Sequence, residues 1–273
     1  MRKIMRCIFC KTDSDSSRSV EHIIPESFGN TDYVLPPGWV CDSCNNYLSR
    51  KVEAPFLNSS YGRSSRFSMQ VPSKKGKIPS VIGFHPQSRS KIELFHDKKE
   101  GLCVGVAPGE KESRWVSAVL KKQSGSLWIP EPDRPQEDYE TSRFIAKVAL
   151  EILAFRCIEI QGWNEEIVDK LELDELRNYV RIGSQKNIWP VHIRRIYPKE
   201  KEFIDSDSTG YQVLHEWDIL PIPAEDNTSE YYVVVAIFGV EYTINLGGPE
   251  LDGYLNWLKN NNDDCYLYKA KSA

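Results

Sequence analysis

Four of the seven cysteines stand in two Cys-x-x-Cys pairs, Cys7/Cys10 and Cys41/Cys44. A Cys-x-x-Cys turn aims two sulfurs at one point, and two such turns supply the four thiolates of a closed, tetrahedral site for structural zinc. Thirty residues separate the pairs, more than a short zinc ribbon needs, so something else is held inside the loop. A module below roughly 70 residues seldom holds together on its apolar core alone, which gives a metal staple a physical purpose. Cys103, Cys157 and Cys265 are isolated among apolar or aromatic neighbours and read as reduced, buried thiols. An odd total also argues against a complete disulfide framework.

Inside the loop runs Glu21-His22-Ile23-Ile24-Pro25-Glu26-Ser27-Phe28-Gly29-Asn30, and directly after the second pair comes Asn45-Asn46-Tyr47-Leu48-Ser49-Arg50-Lys51-Val52-Glu53. The acid-His pair, the Cys-x-x-Cys-Asn ending and the run from Glu21 to Gly29 occur in an order that resembles the HNH endonucleases, the His-Me finger or ββα-metal class. The likeness covers about residues 5–57 and is similar in particular to the zinc-braced four-cysteine branch exemplified by phage endonuclease VII. It implies hydrolysis of phosphodiester bonds, with His22 as general base and Glu21 and Asn45 as ligands of a second, weakly held Mg²⁺ or Mn²⁺. The chemistry explains these residue types. A neutral imidazole can take a proton from water near neutral pH. A hard dication can ligate a phosphate oxygen and the leaving 3′ oxygen. On a strand, Glu21 and His22 would face opposite ways unless a bend turns them together. Two departures stand out. The acid is Glu where many relatives carry Asp, and the central amide that normally braces the histidine loop has its nearest candidate in Asn30. Asn46, Arg50 and Lys51 are supporting candidates; the two basic residues either meet phosphates or form a solvated face.

The elements that must position these groups make the chain α+β: a small N-terminal zinc-bound ββα-metal module, followed by a larger α+β domain. Residues 1–60 read as the module. Its helix follows Cys41, with Asp42 or Ser43 as cap, Leu48 and Val52 on one face and Pro55 at the end. Residues 61–80 read as a basic, flexible linker. Residues 81–273 read as the second domain, for targeting, regulation or partner binding. It shows short strands at 92–95 and 102–106, a hairpin across 114–129, helices at 140–158 and 164–181, strands at 191–196, 211–219 and 231–246, and a closing helix at 250–259. His85, His96, His192 and His215 have no second ligand at metal spacing and read as structural or exposed.

The net charge of −4 hides an asymmetry: residues 1–80 carry +5 and residues 81–273 carry −9. A polyanion is welcome at the basic N-terminal part. The expected partner is DNA, double-stranded by class precedent. The acidic remainder fits a protein partner or self-association through residues 81–273, which would restrain or direct the nuclease. No run of about 18 apolar residues exists, so no membrane span is expected and the cytoplasm is the default location. A nuclease module joined to an unrelated second domain resembles effectors of bacterial restriction or anti-phage defence. Two other readings stay open: a zinc-containing module that binds nucleic acid without cutting it, and an RNA-cleaving toxin.

Overall fold

The computed structural model describes residues 5–111, 115, 117, 121, 126–158, 160, 163–183, 186–204, 207–223 and 228–269. The fold is α+β. Two compact units divide the chain: the described parts of Met1–Pro25, Asn30–Phe56 and Arg134–Ala273 form one, and Glu26–Gly29 with Leu57–Asp133 form the other. These units cut the chain differently from the boundaries at 60 and 80 read in the sequence. No described helix is long and apolar enough to cross a membrane.

In the first unit the N-terminal part is two short strands and a helix. Strands β1 (Glu21–His22) and β2 (Val34–Leu35) pair antiparallel, Glu21 opposite Leu35 and His22 opposite Val34. Helix α1 (Asp42–Leu48) begins at Cys41, whose sulfur accepts from the Cys44 amide. The chain continues through a π-helical turn at Ser49–Glu53 into Ala54–Asn58.

Helix α2 (Ser60–Ser68) belongs to the second unit and runs into the stretch read as a linker. Its small polar residues are packing residues. Ser59 Oγ caps it by accepting from Gly62 N at 3.0 Å, and Ser64 and Ser65 are buried. Ser68 donates to Glu131 at 2.7 Å. Strands β3 (Val81–His85), β4 (Ser90–Asp97) and β5 (Gly101–Val106) form an antiparallel meander. Val81, Ile92 and Leu94 face a small core with Phe67, Trp115 and Leu127. Gly83 is required there: a Cβ would lie 2.9 Å from the Trp128 carbonyl, which accepts from Phe84 N. The hairpin expected across 114–129 falls largely outside the described residues, and Trp115 and Ser117 within it are helical.

The rest of the first unit is a four-stranded antiparallel sheet with helices on both faces. Helix α3 (Tyr139–Arg156) is capped by Asp138, which accepts from Thr141 N at 2.9 Å. Helices α4 (Trp163–Asp169) and α5 (Asp174–Arg181) follow, joined by a 3-10 turn where the sequence reads as one continuous helix. The strands are β6 (His192–Arg195), β7 (His215–Pro223), β8 (Ser229–Ile237) and β9 (Val240–Asn245), in the order β6-β9-β8-β7. The single strand expected at 231–246 is a hairpin. Phe238 and Gly239 take φ of 49° and 75°, the two left-handed residues of a tight two-residue turn. Along β8 side chains alternate. Tyr232, Val234 and Ala236 pack with Tyr254 and Leu258 of helix α6 (Asp252–Asn260). On the other face, Trp217 of β7 meets Phe155 of α3, and Tyr33 meets both rings.

Candidate metal centre and nuclease site

The two cysteine pairs meet. The sulfurs of Cys7, Cys10, Cys41 and Cys44 all lie within 4.8 Å of one another, and Cys10 and Cys41 are 3.6 Å apart. A zinc ion with bonds of about 2.3 Å to four tetrahedral sulfurs would space them by about 3.8 Å, so the residues fit the metal. The first pair sits on a tight knuckle, in which Lys11 takes a φ of 61° and its amide donates to Cys7 O at 2.8 Å. The second pair occupies the cap and first turn of α1. Ile8 N donates to Trp39 O at 3.0 Å and ties the two turns together. The four thiols perturb one another. A hydrogen bond from Cys44 pulls Cys7 down to about 5, while burial pushes Cys41 up to about 11. A dication held among them would allow all four to ionise together.

Helix α1 also fixes the chain that leads into β1. Asp42 accepts from the amides of Arg18 and Ser19 and from the Ser19 hydroxyl, the last at 2.6 Å; that hydroxyl bond lowers the Asp42 pKa. Asn45 Nδ2 donates to Val20 O at 3.0 Å, one residue before Glu21. Asn30 is 1% exposed and uses its whole amide. Its Nδ2 donates to Ile24 O at 2.7 Å and Tyr33 O at 2.8 Å, and its Oδ1 accepts from Asp32 N and Tyr33 N. Two donors and two accepted bonds satisfy the side chain and brace the loop after His22. Asn46, Arg50 and Lys51 are exposed, and Arg50 Nε donates to Asn46 O at 3.4 Å.

Residues 7–60 match a family model described as HNH endonuclease. No curated protein and no solved structure matches the chain. The matched span takes in the four cysteines, Glu21, His22, Asn30 and Asn45, and such a domain acts on nucleic acid. Among the described residues the four cysteines are the one group of three or more His, Cys, Asp or Glu side chains whose ligand atoms converge as a metal site.

Glu21 and His22 fall on opposite faces of β1, as strand alternation requires. His22 is half-buried, and its Nδ1 is buried with no hydrogen-bond partner among the described residues. Glu21 is 5% exposed, and its Oε1 lies 2.7 Å from Lys147 Nζ. Lys147 comes from α3, far outside the matched span. Its ammonium also lies 2.6 Å from Glu53 Oε1 and 2.9 Å from Glu151 Oε2. The contact with Glu151 is close enough for an ion pair but not aligned as a hydrogen bond. Burial opposes the charge on Lys147, but the surrounding carboxylates outweigh it and hold the ammonium well above the ordinary lysine range. Burial pushes the Glu151 carboxyl well up.

Reading the sequence for apolar periodicity passed over this lysine. The signal was present: Arg143, Lys147 and Glu151 recur at four-residue intervals on a helix whose other faces are apolar. A charged stripe on a helix with no wet face must be paired. Arg143 shares that stripe; it donates to Tyr47 Oη at 2.8 Å, Lys51 O at 3.3 Å and Val180 O at 2.9 Å. On α5, Arg177 donates from Nε to Ile8 O at 2.8 Å and pairs with Asp174 at 2.6 Å.

Proposed function

We propose that this protein is a divalent-metal-dependent HNH endonuclease that hydrolyses DNA, with His22 as general base. The observation that carries the reading is the coincidence of the HNH match with a four-cysteine cluster that encloses His22 in sequence and braces it through α1. His22 Nε2 takes the proton from the attacking water, since Nδ1 is buried. The water oxygen bonds to phosphorus, the bond from phosphorus to the 3′ oxygen breaks, and that oxygen takes a proton from solvent. Zinc, held by Cys7, Cys10, Cys41 and Cys44, is structural. Asn45 and Glu21 are the proposed holders of Mg²⁺ or Mn²⁺. Glu21 is buried against Lys147 on the face of β1 opposite His22, so its carboxylate would have to be shared with the ammonium to hold the ion. When bound, it supplies neutralisation of the charge that builds on the phosphate. Asn30 fills the place of the bracing amide.

A second reading, a module that binds nucleic acid without cutting it, draws on the same engagement of Glu21. One experiment separates the two. Plasmid DNA and a structured RNA are incubated with the purified chain and Mg²⁺ or Mn²⁺, with and without EDTA, beside the His22→Ala variant. Cleavage of DNA that needs the ion and is lost in His22→Ala, with zinc content unchanged, is the expected result. The rate loss should be about a hundredfold or more, the scale of a general base. Binding without cleavage favours the second reading, cleavage of RNA alone moves the substrate, and His22→Ala cutting at the parent rate removes His22 from its role.

A further inference from the structure

We infer that Lys147 is the positioning residue of the catalytic strand: it reaches from α3 and fixes both the Glu21 carboxylate and the backbone that carries His22. This rests on the nuclease reading above. The geometry is specific to that strand. Besides the three carboxylates, Nζ donates to His22 O at 3.1 Å and Ile23 O at 3.3 Å. An ammonium has three protons, and five oxygens within 3.3 Å compete for them. Three of the five belong to Glu21, His22 and Ile23; the others belong to Glu53, at the end of the π-helical turn, and to Glu151, one turn along α3. The side chain is wholly buried, so it touches neither substrate nor solvent and acts only through what it holds.

Strand β1 has little else to fix it. Its ladder is two residues long on each side, too short to be rigid on its own. Asn30 braces the loop after it and Asn45 ties the residue before it. Lys147 bonds the Glu21 side chain, the His22 carbonyl and the next carbonyl along, Ile23 O. The face of β1 opposite His22 is therefore set by a cation on a distant helix.

The test uses the full chain with zinc bound, in Lys147→Arg and Lys147→Met. Arginine keeps the charge but is longer and planar, so it cannot reproduce five contacts around one point. Methionine keeps the stem and removes the charge. Amide hydrogen exchange is read at residues 21–24 and at the two cysteine turns, with zinc content alongside. Cleavage is split into kcat and KM for plasmid DNA, and the Mn²⁺ concentration at half-maximal rate is measured.

In Lys147→Arg, zinc stays close to one per chain and exchange at 21–24 rises by about tenfold or more. Exchange at the cysteine turns stays at the parent level. The same variant loses about a hundredfold in kcat, as a misplacement near 1 Å can cause, while KM for DNA barely moves and the Mn²⁺ requirement rises. If Lys147→Met loses its zinc, the arginine variant decides. Unchanged exchange at 21–24 overturns the proposal, as does a parental kcat. A uniform rise across the cysteine turns also overturns it, by making Lys147 a general stabiliser. A parent chain that cuts no nucleic acid refutes the nuclease reading, while exchange at 21–24 still decides whether Lys147 fixes the strand.

Discussion

The cysteine cluster and the lysine cluster serve the same two-residue strand with opposite chemistry. Four soft sulfurs drawn from residues 7–44 converge on one point, where a dication could be held. Three carboxylates from residues 21–151 converge on an ammonium that the chain supplies itself. The first arrangement is close in sequence and would be completed by an ion from outside. The second is distant in sequence and complete on folding. A local clasp fixes where α1 meets the knuckle, and with it the Asn45 tie to Val20. The long-range cluster ties the HNH-matched region to a helix it does not contain. The difference teaches that a region matched by the HNH model can hold its sulfur cluster within itself while its short strand is held from a helix outside it.

The largest expected effect breaks the first half of that comparison. Binding of a structural zinc to a small module is worth about 10–16 kcal/mol, and that binding energy is folding energy. Stripping the metal with a strong chelator, or Cys41→Ser, is expected to unfold residues 5–58 and abolish activity. Metal analysis of the parent should return close to one zinc per chain. A preparation that is free of zinc yet folded and active would show that the sulfur cluster is not a metal site at all.

Truncation tests the second half. A fragment of residues 1–80 keeps the four clustered cysteines, His22 and Asn45 but loses Lys147, Arg143 and Arg177. Removing one partner of a buried ion pair costs about 3–5 kcal/mol, and a whole domain is stable by only about 5–15 kcal/mol. Losing Lys147 leaves Glu21 and Glu53 without their buried cation. Losing Arg177 leaves Ile8 O without its donor inside the knuckle. Even with zinc supplied, the fragment is expected to lack a cooperative melt and to be inert on DNA. A fragment that melts sharply and cuts would mean that the module is self-sufficient and the contacts from α3 and α5 are incidental.

What the sequence made legible follows the same division. Cys7, Cys10, Cys41 and Cys44 were readable because a metal imposes fixed spacing on its ligands. Helix α3 was readable from apolar periodicity, and helix α6 from the Gly247-Gly248-Pro249 break that precedes it. The hairpin of β8 and β9 was not: Phe238-Gly239 lacks the usual Asn-Gly or Asp-Gly signature, so two strands read as one. Helix α2 was hidden because Ser59, Ser64 and Ser65 look like tether residues until a neighbour packs against them. The partners of Glu21 were hidden for a deeper reason. Side chains 126 positions apart in the chain, Glu21 and Lys147, share no local pattern; only the mismatch of a charged stripe on an apolar helix gives them away.

Asn30 gives the smallest of these effects and the finest division between the two anchors, because it belongs to neither. It lies between the cysteine pairs in sequence but touches no sulfur, and it braces the loop after His22 with four hydrogen bonds of 2.7–3.1 Å. Asn30→Ala strands the Ile24 carbonyl and the amides of Asp32 and Tyr33, while Tyr33 O keeps its bond from Ile23 N. Each buried group left unsatisfied costs about 1–3 kcal/mol, and partial access to water relieves some of them. The expected net loss is therefore about 3 kcal/mol, read as a lower urea midpoint at constant slope. Zinc should stay bound, since the cysteine turns are intact. The rate should fall because the loop that follows His22 has lost its brace, while exchange at the knuckle holds. If Asn30→Ala melts with the parent and cuts at the parent rate, the two clusters fix the strand unaided and the amide is only filling space. If it loses zinc as well, the brace and the clasp are a single cooperative unit, and the contrast between a local and a distant anchor must be redrawn around the loop itself.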